Sequence, residues 1–221
     1  MLILIIGAGG HAQVVADILL RMREAGSRLT PVGYLDDNPA LTGQSLLGLP
    51  VLGTLADLSA IPHDAIIVAI GDNEIRHRIF HSLQARGERF VVACHPRAII
   101  APDAAIGSGS MICAGVVVNP GSRIGVDAIL NTGCTVDHHN HLGDHAHIAP
   151  GVHLGGEVQI GDGTLVGIGA TVMPRCRIGS WSTVGAGALV HADLPAHVVA
   201  AGTPARIIRQ LKGSEGFGSR E

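Results

Sequence analysis

From Ile100 onward an aliphatic residue recurs at every sixth position. Ile100, Ile106, Ile112, Val118, Ile124, Leu130, Val136, Leu142, Ile148, Leu154, Ile160, Val166, Val172, Ile178, Val184 and Val190 make sixteen consecutive hexads without an insertion. Glycine follows eight of them, at 107, 125, 143, 155, 161, 167, 179 and 185, and four residues after most of them stands a small side chain such as Ala104, Ser110, Ala128 or Cys134. A strand period would be two and a helical one 3.6; a period of six is the grammar of a parallel β-helix, in which each hexad forms one face of a triangular coil. The aliphatics stack inside and the small residues let the chain turn the corners. Three hexads per coil give about five coils, a prism roughly 25 Å tall at ~4.8 Å between stacked strands.

The first 95 or so residues follow another pattern. "LILII" (2–6) reads as a buried strand, followed by a glycine turn and by "HAQVVADILLRMREAG", which carries a helical apolar period. "PVGYLDD", "AIIVAIGD" and "RFVVACH" read as further strands, and "EIRHRIFHSLQARG" as a second helix. Strands that alternate with helices predict a small parallel α/β sheet. The chain thus divides into an α/β domain over 1–95, a β-helix over 96–203 and a C-terminal cap and tail over 204–221.

Composition narrows this picture. Hydrophobic residues make up 47% but aromatics only 2%, so the core is built from Val, Ile, Leu and Ala. A net charge of −3 offers no electrostatic attraction for nucleic acid or for an anionic membrane. The four cysteines have no C-x-x-C spacing, which fits a reducing compartment. The apolar opening lacks a basic n-region, and no stretch approaches the ~20 apolar residues of a membrane span. A cytoplasmic protein is expected.

The hexads resemble the left-handed β-helix of hexapeptide acyltransferases. With "GAGGH" after the first strand, "LDD" after the second, "IGDNEIR" after the third, "HP" before the β-helix and "AGTPAR" at its end, nearly the whole chain is similar to the bacterial sugar acetyltransferases. That branch includes sialic-acid O-acetyltransferases and UDP-4-amino-sugar N-acetyltransferases. The resemblance implies an acetyl-CoA-dependent enzyme acting on the amino group of a nucleotide-linked sugar, probed most directly as a UDP-4-amino-4,6-dideoxy sugar. It also implies a homotrimer with active sites between subunits. O-acetylation of sialic acid or another glycan is the nearest alternative; a γ-type carbonic anhydrase or a non-catalytic metal-binding β-helix is a more distant one.

The candidate chemistry centres on "TVDHHNHLGDHAH" (135–147), with five histidines between 138 and 147. Stacked side chains on one face lie eighteen residues apart, and no two histidines of the β-helix have that separation, so no metal is expected. A thioester is already activated, and the attacking amine needs only a base; a histidine with ordinary pKa ~6.5 suits that task. By resemblance the base falls on His138, and His147 lies near the thioester. Asn140, a polar amide in a slot otherwise given to small or apolar residues, marks the segment as unusual. The relatives typically carry an acid after the base, where this chain has His139, which leaves Asp137 or Asp144 to stand in for it. Cys134 is read as core. "GAGGHA" satisfies the G-x-G-x-x-[GA] pattern of a phosphate-cradling turn, but the α/β half is too small for a dinucleotide fold. By resemblance Gly9, Gly10 and His11 contact the diphosphate or sugar, Asp36 and Asp37 lie near the base with Gly71 close by, and Ile168 and Ala186 line the coenzyme. Asn131, seven residues before His138, is expected to face the substrate.

Overall fold

The computed structural model describes residues 1–211. The part of the expected tail from 212 to 221 lies outside the described residues.

The α/β part holds β1 (Leu2–Ile6), α1 (Gly10–Glu24), β2 (Thr30–Leu35), β3 (Ser45–Leu46), β4 (Leu49–Gly53), β5 (Ala65–Val68) and α2 (Asn73–Ala85). The sheet order is β3-β4-β2-β1-β5, parallel except for the β3–β4 hairpin. β1 is central and covered on both faces, which explains its unbroken apolar run. Ile3 and Ile5 point into a core shared with α1, while Leu4 and Ile6 point into a second core with Phe80 and Leu83 of α2. Asp72 caps α2 by accepting from the Ile75 amide at 2.9 Å.

Two sequence expectations for this half need correction. The β3–β4 hairpin was not expected, because its two-residue turn is Leu47-Gly48, both with positive φ (51° and 76°), and leucine is an uncommon residue there. The strand expected over 89–95 is split. Phe90 makes a single bridge to Ile66, and β6 (Ala93–Cys94) then leaves the sheet and pairs with Met111–Ile112, eighteen residues on. The segment touches the open edge of β5 at one residue and then passes to the first coil, where the Ala93 amide bonds Ser110 O and the His95 amide bonds Ile112 O.

The hexads form sixteen two-residue strands, β7 (Ile99–Ile100) through β22 (Leu189–Val190), in three parallel sheets. Every pairing joins residues eighteen apart, as Val117 with Thr135 and Ile129 with His147 do. The second residue of each strand is the periodic aliphatic of the sequence. The first face holds β7, β10, β13, β16, β19 and β22, and the second β8, β11, β14, β17 and β20. The third face runs from β6 through β9, β12, β15, β18 and β21 to β23 (Val198–Ala201) and β24 (Arg206–Gln210). β24 runs antiparallel to β23 and closes the end of the coils. One continuous core extends from α1 through β6 into the prism.

Two features of the repeat have local causes. Gly107, Gly125, Gly143, Gly161 and Gly179 form one column on the second face, and a Cβ on any of them would meet the backbone of the next coil. Small polar residues at the corners bond a carbonyl of the adjoining coil: Ser110 to Gly125, Thr164 to Gly179 and Ser182 to Pro195, at 2.8–2.9 Å.

Candidate functional site

His138 and His139 occupy the corner between β13 (Thr135–Val136) and β14 (His141–Leu142), and both side chains are exposed. His139 has φ 56°, in a column where the coil below has Gly121 and the coil above Glu157. Its ring lies over Gly121, and the ring of His138 lies over Gly156 of the coil above. The two Nδ1 atoms are 3.2 Å apart. One must therefore donate; with His138 Nδ1–H donating to His139, the Nε2 lone pair of His138 is free to accept a proton. His139 can fix the tautomer as a carboxylate would, but it supplies no negative charge.

Asp137 and Asp144 do not stand in for the missing acid. Asp137 Oδ1 accepts from the His138 amide (2.8 Å) and from Asn119 Nδ2 (2.9 Å), and these bonds hold its carboxyl below the usual range. Asp144 Oδ1 accepts from the Val126 amide at 2.8 Å. The inference drawn from Asn140 is also revised. Asn140 is buried and donates to Gly155 O (2.9 Å), the same corner bond that Ser110 and Thr164 make, so its presence is first a matter of architecture. Its second bond, to Asp137 O at 2.6 Å, ties down the residue before His138.

A second group gathers where the α/β part meets the third face. His11, at the start of α1, has its ring centroid 6.3 Å from that of His147, and Gly71 lies against the His11 Cβ. Asn131 Oδ1 accepts from the Thr132 amide, which leaves Nδ2 to face His147 Nε2 at 3.2 Å. The ring proton of His147 is thereby placed on Nδ1, a buried atom beside the Gly71 backbone; His11 Nε2 is buried and unpartnered. Burial, with the nearby Arg76 charge, lowers both pKa values to about 4, so both rings are neutral at pH 7. A buried ring nitrogen without a partner, as at His11, calls for a polar group. Asn131 therefore orients His147 and does not stand beside His138.

Gly9 and Gly10 open α1 with no side-chain cap, and a Cβ on either would meet nothing within 4 Å. Neither backbone strain nor packing demands glycine there; what their absence of side chains leaves is bare amides at a helix N-terminus, suited to a phosphate. Asp36 binds the turn itself: Oδ2 accepts from the Ala8 amide (2.7 Å) and Oδ1 from the Asn38 amide (2.8 Å). Asp37 accepts from Leu55 N at 2.9 Å. Both also line a pocket of about 210 Å³ with Gly7, Leu35 and Ile70, at the ends of β1, β2 and β5. This is the crevice where an open α/β sheet takes its ligand.

Ile168, 62% exposed, and Ala186 lie at the corner between the third and first faces, one coil apart. The expected residues thus lie at separate places: His138 and His139 at one edge of the prism, Asn131, Ile168 and Ala186 along another, His147 on the third face, with His11 and Gly71 beside it in the α/β part. A concavity of about 790 Å³ runs along the glycine column of the second face, and none of the expected residues lines it. Concavity alone does not mark the reacting centre.

Sequence reasoning missed Arg76. It is fully buried and donates to Asp127 O and Oδ2 (both 3.1 Å), His145 O (2.6 Å), Ile70 O (3.1 Å) and Asn73 Oδ1 (3.0 Å). This one side chain joins α2 to two coils of the β-helix. Burial pushes the Asp127 carboxyl up, while its bond to His145 and the charge of Arg76 oppose that shift. A signal was available: Asp127 and His145 are eighteen apart at the same corner slot, an acid–histidine pair at the stacking interval. Cys134 is core, as expected; burial raises its thiol to about 12 and that of Cys113 to about 11.

Comparison with known proteins decides the family. Residues 2–83 match the family model described as PglD N-terminal domain, and residues 157–192 the bacterial transferase hexapeptide (six repeats). A histidine-to-alanine mutant of GDP-perosamine N-acetyl transferase from Caulobacter crescentus, solved with CoA and GDP-perosamine, is 37% identical. It has a TM-score of 0.87 over 94% of this chain and 97% of that one. The chain belongs to the hexapeptide-repeat sugar acetyltransferases. Within that family it is also similar to the acetyltransferase domain of PglB from Neisseria gonorrhoeae in complex with acetyl coenzyme A. There the identity is 38% and the TM-score 0.87, over 94% of this chain and 98% of that one. UDP-N-acetylbacillosamine N-acetyltransferase of Bacillus subtilis is 35% identical over 50% of each chain. The chain spans half or less of the length of the curated relatives it matches. The fold expected from the sequence, an α/β domain followed by a left-handed β-helix, is the family's fold. Among the described residues no helix is long and apolar enough to cross a membrane.

Proposed function

We propose that this chain transfers an acetyl group from acetyl-CoA to the amino group of a nucleotide-linked amino sugar, with His138 as general base. The observation that carries the reading is an exposed, preoriented imidazole at 138 in a chain that matches, over 94% of its length, an enzyme solved with CoA and a nucleotide-linked amino sugar. That complex was obtained in a histidine-to-alanine protein, as suits chemistry done by histidine.

The amine nitrogen attacks the thioester carbonyl carbon and forms the C–N bond. His138 Nε2 accepts the proton the nitrogen sheds, the C–S bond breaks, and the thiolate leaves as coenzyme A thiol once it takes that proton back. His139 Nδ1 holds the ring in the accepting tautomer. The phosphate turn at Gly9 and Gly10 takes the diphosphate, and the crevice beside Asp36 and Asp37 takes the base. His11, Gly71 and His147 serve polar groups of the bound substrates, the thioester oxygen among them. Residues 1–95 act as the nucleotide-sugar domain, 96–203 as the acyltransfer domain and 204–221 as its cap and tail. His138 and the coenzyme-lining pair at 168 and 186 occupy different edges of one prism. A homotrimer, in which a neighbour's edge closes over each base, brings them together. Acetyl-CoA as co-substrate places the enzyme in the cytoplasm.

The test is coenzyme A release by purified protein with UDP-, GDP- and dTDP-linked 4-amino sugars, with sialic acid as the hydroxyl acceptor. Turnover with an amino sugar that falls ~10²–10⁴-fold in His138→Ala supports the reading. Turnover with sialic acid alone, or none that depends on His138, overturns it. Light scattering that shows an active monomer would overturn the trimer.

A further inference from the structure

Two histidines of α2 and one of the β-helix meet away from the acetyl-transfer groups. His77 and His81 stand four residues apart, on one face of the helix. His145, at the corner before β15 (His147–Ile148), faces them. Their ligand-capable nitrogens all lie within 4.8 Å of one another. Ring centroids are 4.5 Å apart for His77 and His81, 4.6 Å for His77 and His145, and 5.2 Å for His81 and His145.

The corner is built to hold one of these rings in a single state. His145 Nδ1 is 2.8 Å from Asp127 Oδ2, one coil below. A carboxylate accepting there keeps the proton on Nδ1 and turns the Nε2 lone pair toward His77 and His81. This is the arrangement by which a carboxylate orients a metal-binding imidazole. Arg76, next in chain to His77, bonds both Asp127 and the His145 carbonyl, so the two sides of the cluster are already registered. Phe80 and Trp181 pack edge-on against the rings and limit water on the inner side. The three rings run from buried (His145) through half-buried (His77) to exposed (His81), which leaves an entry path.

We propose that His77, His81 and His145 bind one divalent transition-metal ion of the zinc type, which clasps α2 to the β-helix. Three imidazoles without a ligating carboxylate suit zinc, cobalt, nickel or copper and not magnesium or calcium, which take oxygen donors. Zn–N bonds of about 2.0–2.1 Å set tetrahedral ligand atoms about 3.3 Å apart, so the rings draw inward by up to about 1.5 Å, mostly by rotation of exposed His81. A water completes the tetrahedron on the open side. The expectation of no metal rested on spacing within the β-helix alone, and two of these ligands come from outside it.

The experiment uses the full chain with no histidine tag, stripped with chelator and titrated with Co²⁺. Expected are one ion per chain, the intense visible absorption of four-coordinate cobalt, its loss on adding Zn²⁺, and a higher thermal midpoint with Zn²⁺. His81→Gln changes an exposed side chain, so the fold is kept, and it should weaken binding at least ~10-fold; His77→Gln should do the same. The pair His138→Ala and His139→Ala, the other close histidines, should leave binding unchanged. No stoichiometric binding at micromolar metal would overturn the proposal. So would binding that survives in His81→Gln and disappears with His138 and His139.

Discussion

Gly156→Ala should displace the base without unfolding the protein. An ideal Cβ at 156 would lie 2.6 Å from Cε1 and Nε2 of His138 and 3.2 Å from Nδ1, and these are the three atoms nearest to it. Ordinary contact begins at 3.4 Å, so the ring must retreat by about 0.8 Å. Gly156 does not have a positive φ, so alanine fits its backbone, and the nearest obstacle is an exposed ring. Stability should change by under about 1 kcal/mol, as for most surface substitutions. Misplacement of a catalytic group by about 1 Å costs up to ~10²-fold, so kcat should fall ~10–100-fold with little change in KM for acetyl-CoA. The assay is steady-state coenzyme A release on the best amino-sugar substrate, beside urea unfolding of the same variant. In a His138→Ala background the alanine should have no further effect, because the two act through one ring. Unchanged kcat, or an equal further loss in that background, would refute the assignment of His138 and the seat given to it.

Arg76→Leu should destabilise the protein by about 3–5 kcal/mol, because it leaves the Asp127 carboxylate buried with His145 as its remaining ionic partner; urea unfolding measures this, and a loss under about 1 kcal/mol would count against the anchor. His11 stays neutral in the folded protein to about pH 4, whereas in the unfolded chain it takes a proton near the ordinary histidine value of 6.5. The unfolded state therefore binds more protons between these values, and stability is lost as pH falls from 6.5 toward 4, by about 2 kcal/mol at pH 5. His11→Gln should flatten that part of the stability profile. His139→Glu places an acid after the base in a left-handed position that Glu157 tolerates one coil above; kcat at neutral pH should hold or rise, and a large fall would give His139 a role of its own.

The sixteen-fold repeat was legible because a β-helix has only local rules. Each hexad meets the same environment as the one eighteen residues away, so a single chain position reports the packing of the whole column. β1 and the two helices were legible for the same reason, their apolar pattern being written within a few residues. Where neighbouring chain segments compete for one edge, the reading failed: residues 89–95 split between the sheet and the first coil, and Leu47 took a turn position that residue preference assigns to others. The sequence by itself determined the prism, its interior and the histidine-bearing corner. Only the tertiary structure decided what each histidine touches and how far it is buried. His138 and His139 are neighbours in chain and in space, but His147 is oriented by Asn131 and kept neutral by burial, and His145 turns away to Asp127. Their roles depend on solvent exclusion and on partners sixteen to seventy residues distant, Arg76 above all. A one-dimensional pattern carries neither the distance nor the dielectric that sets them.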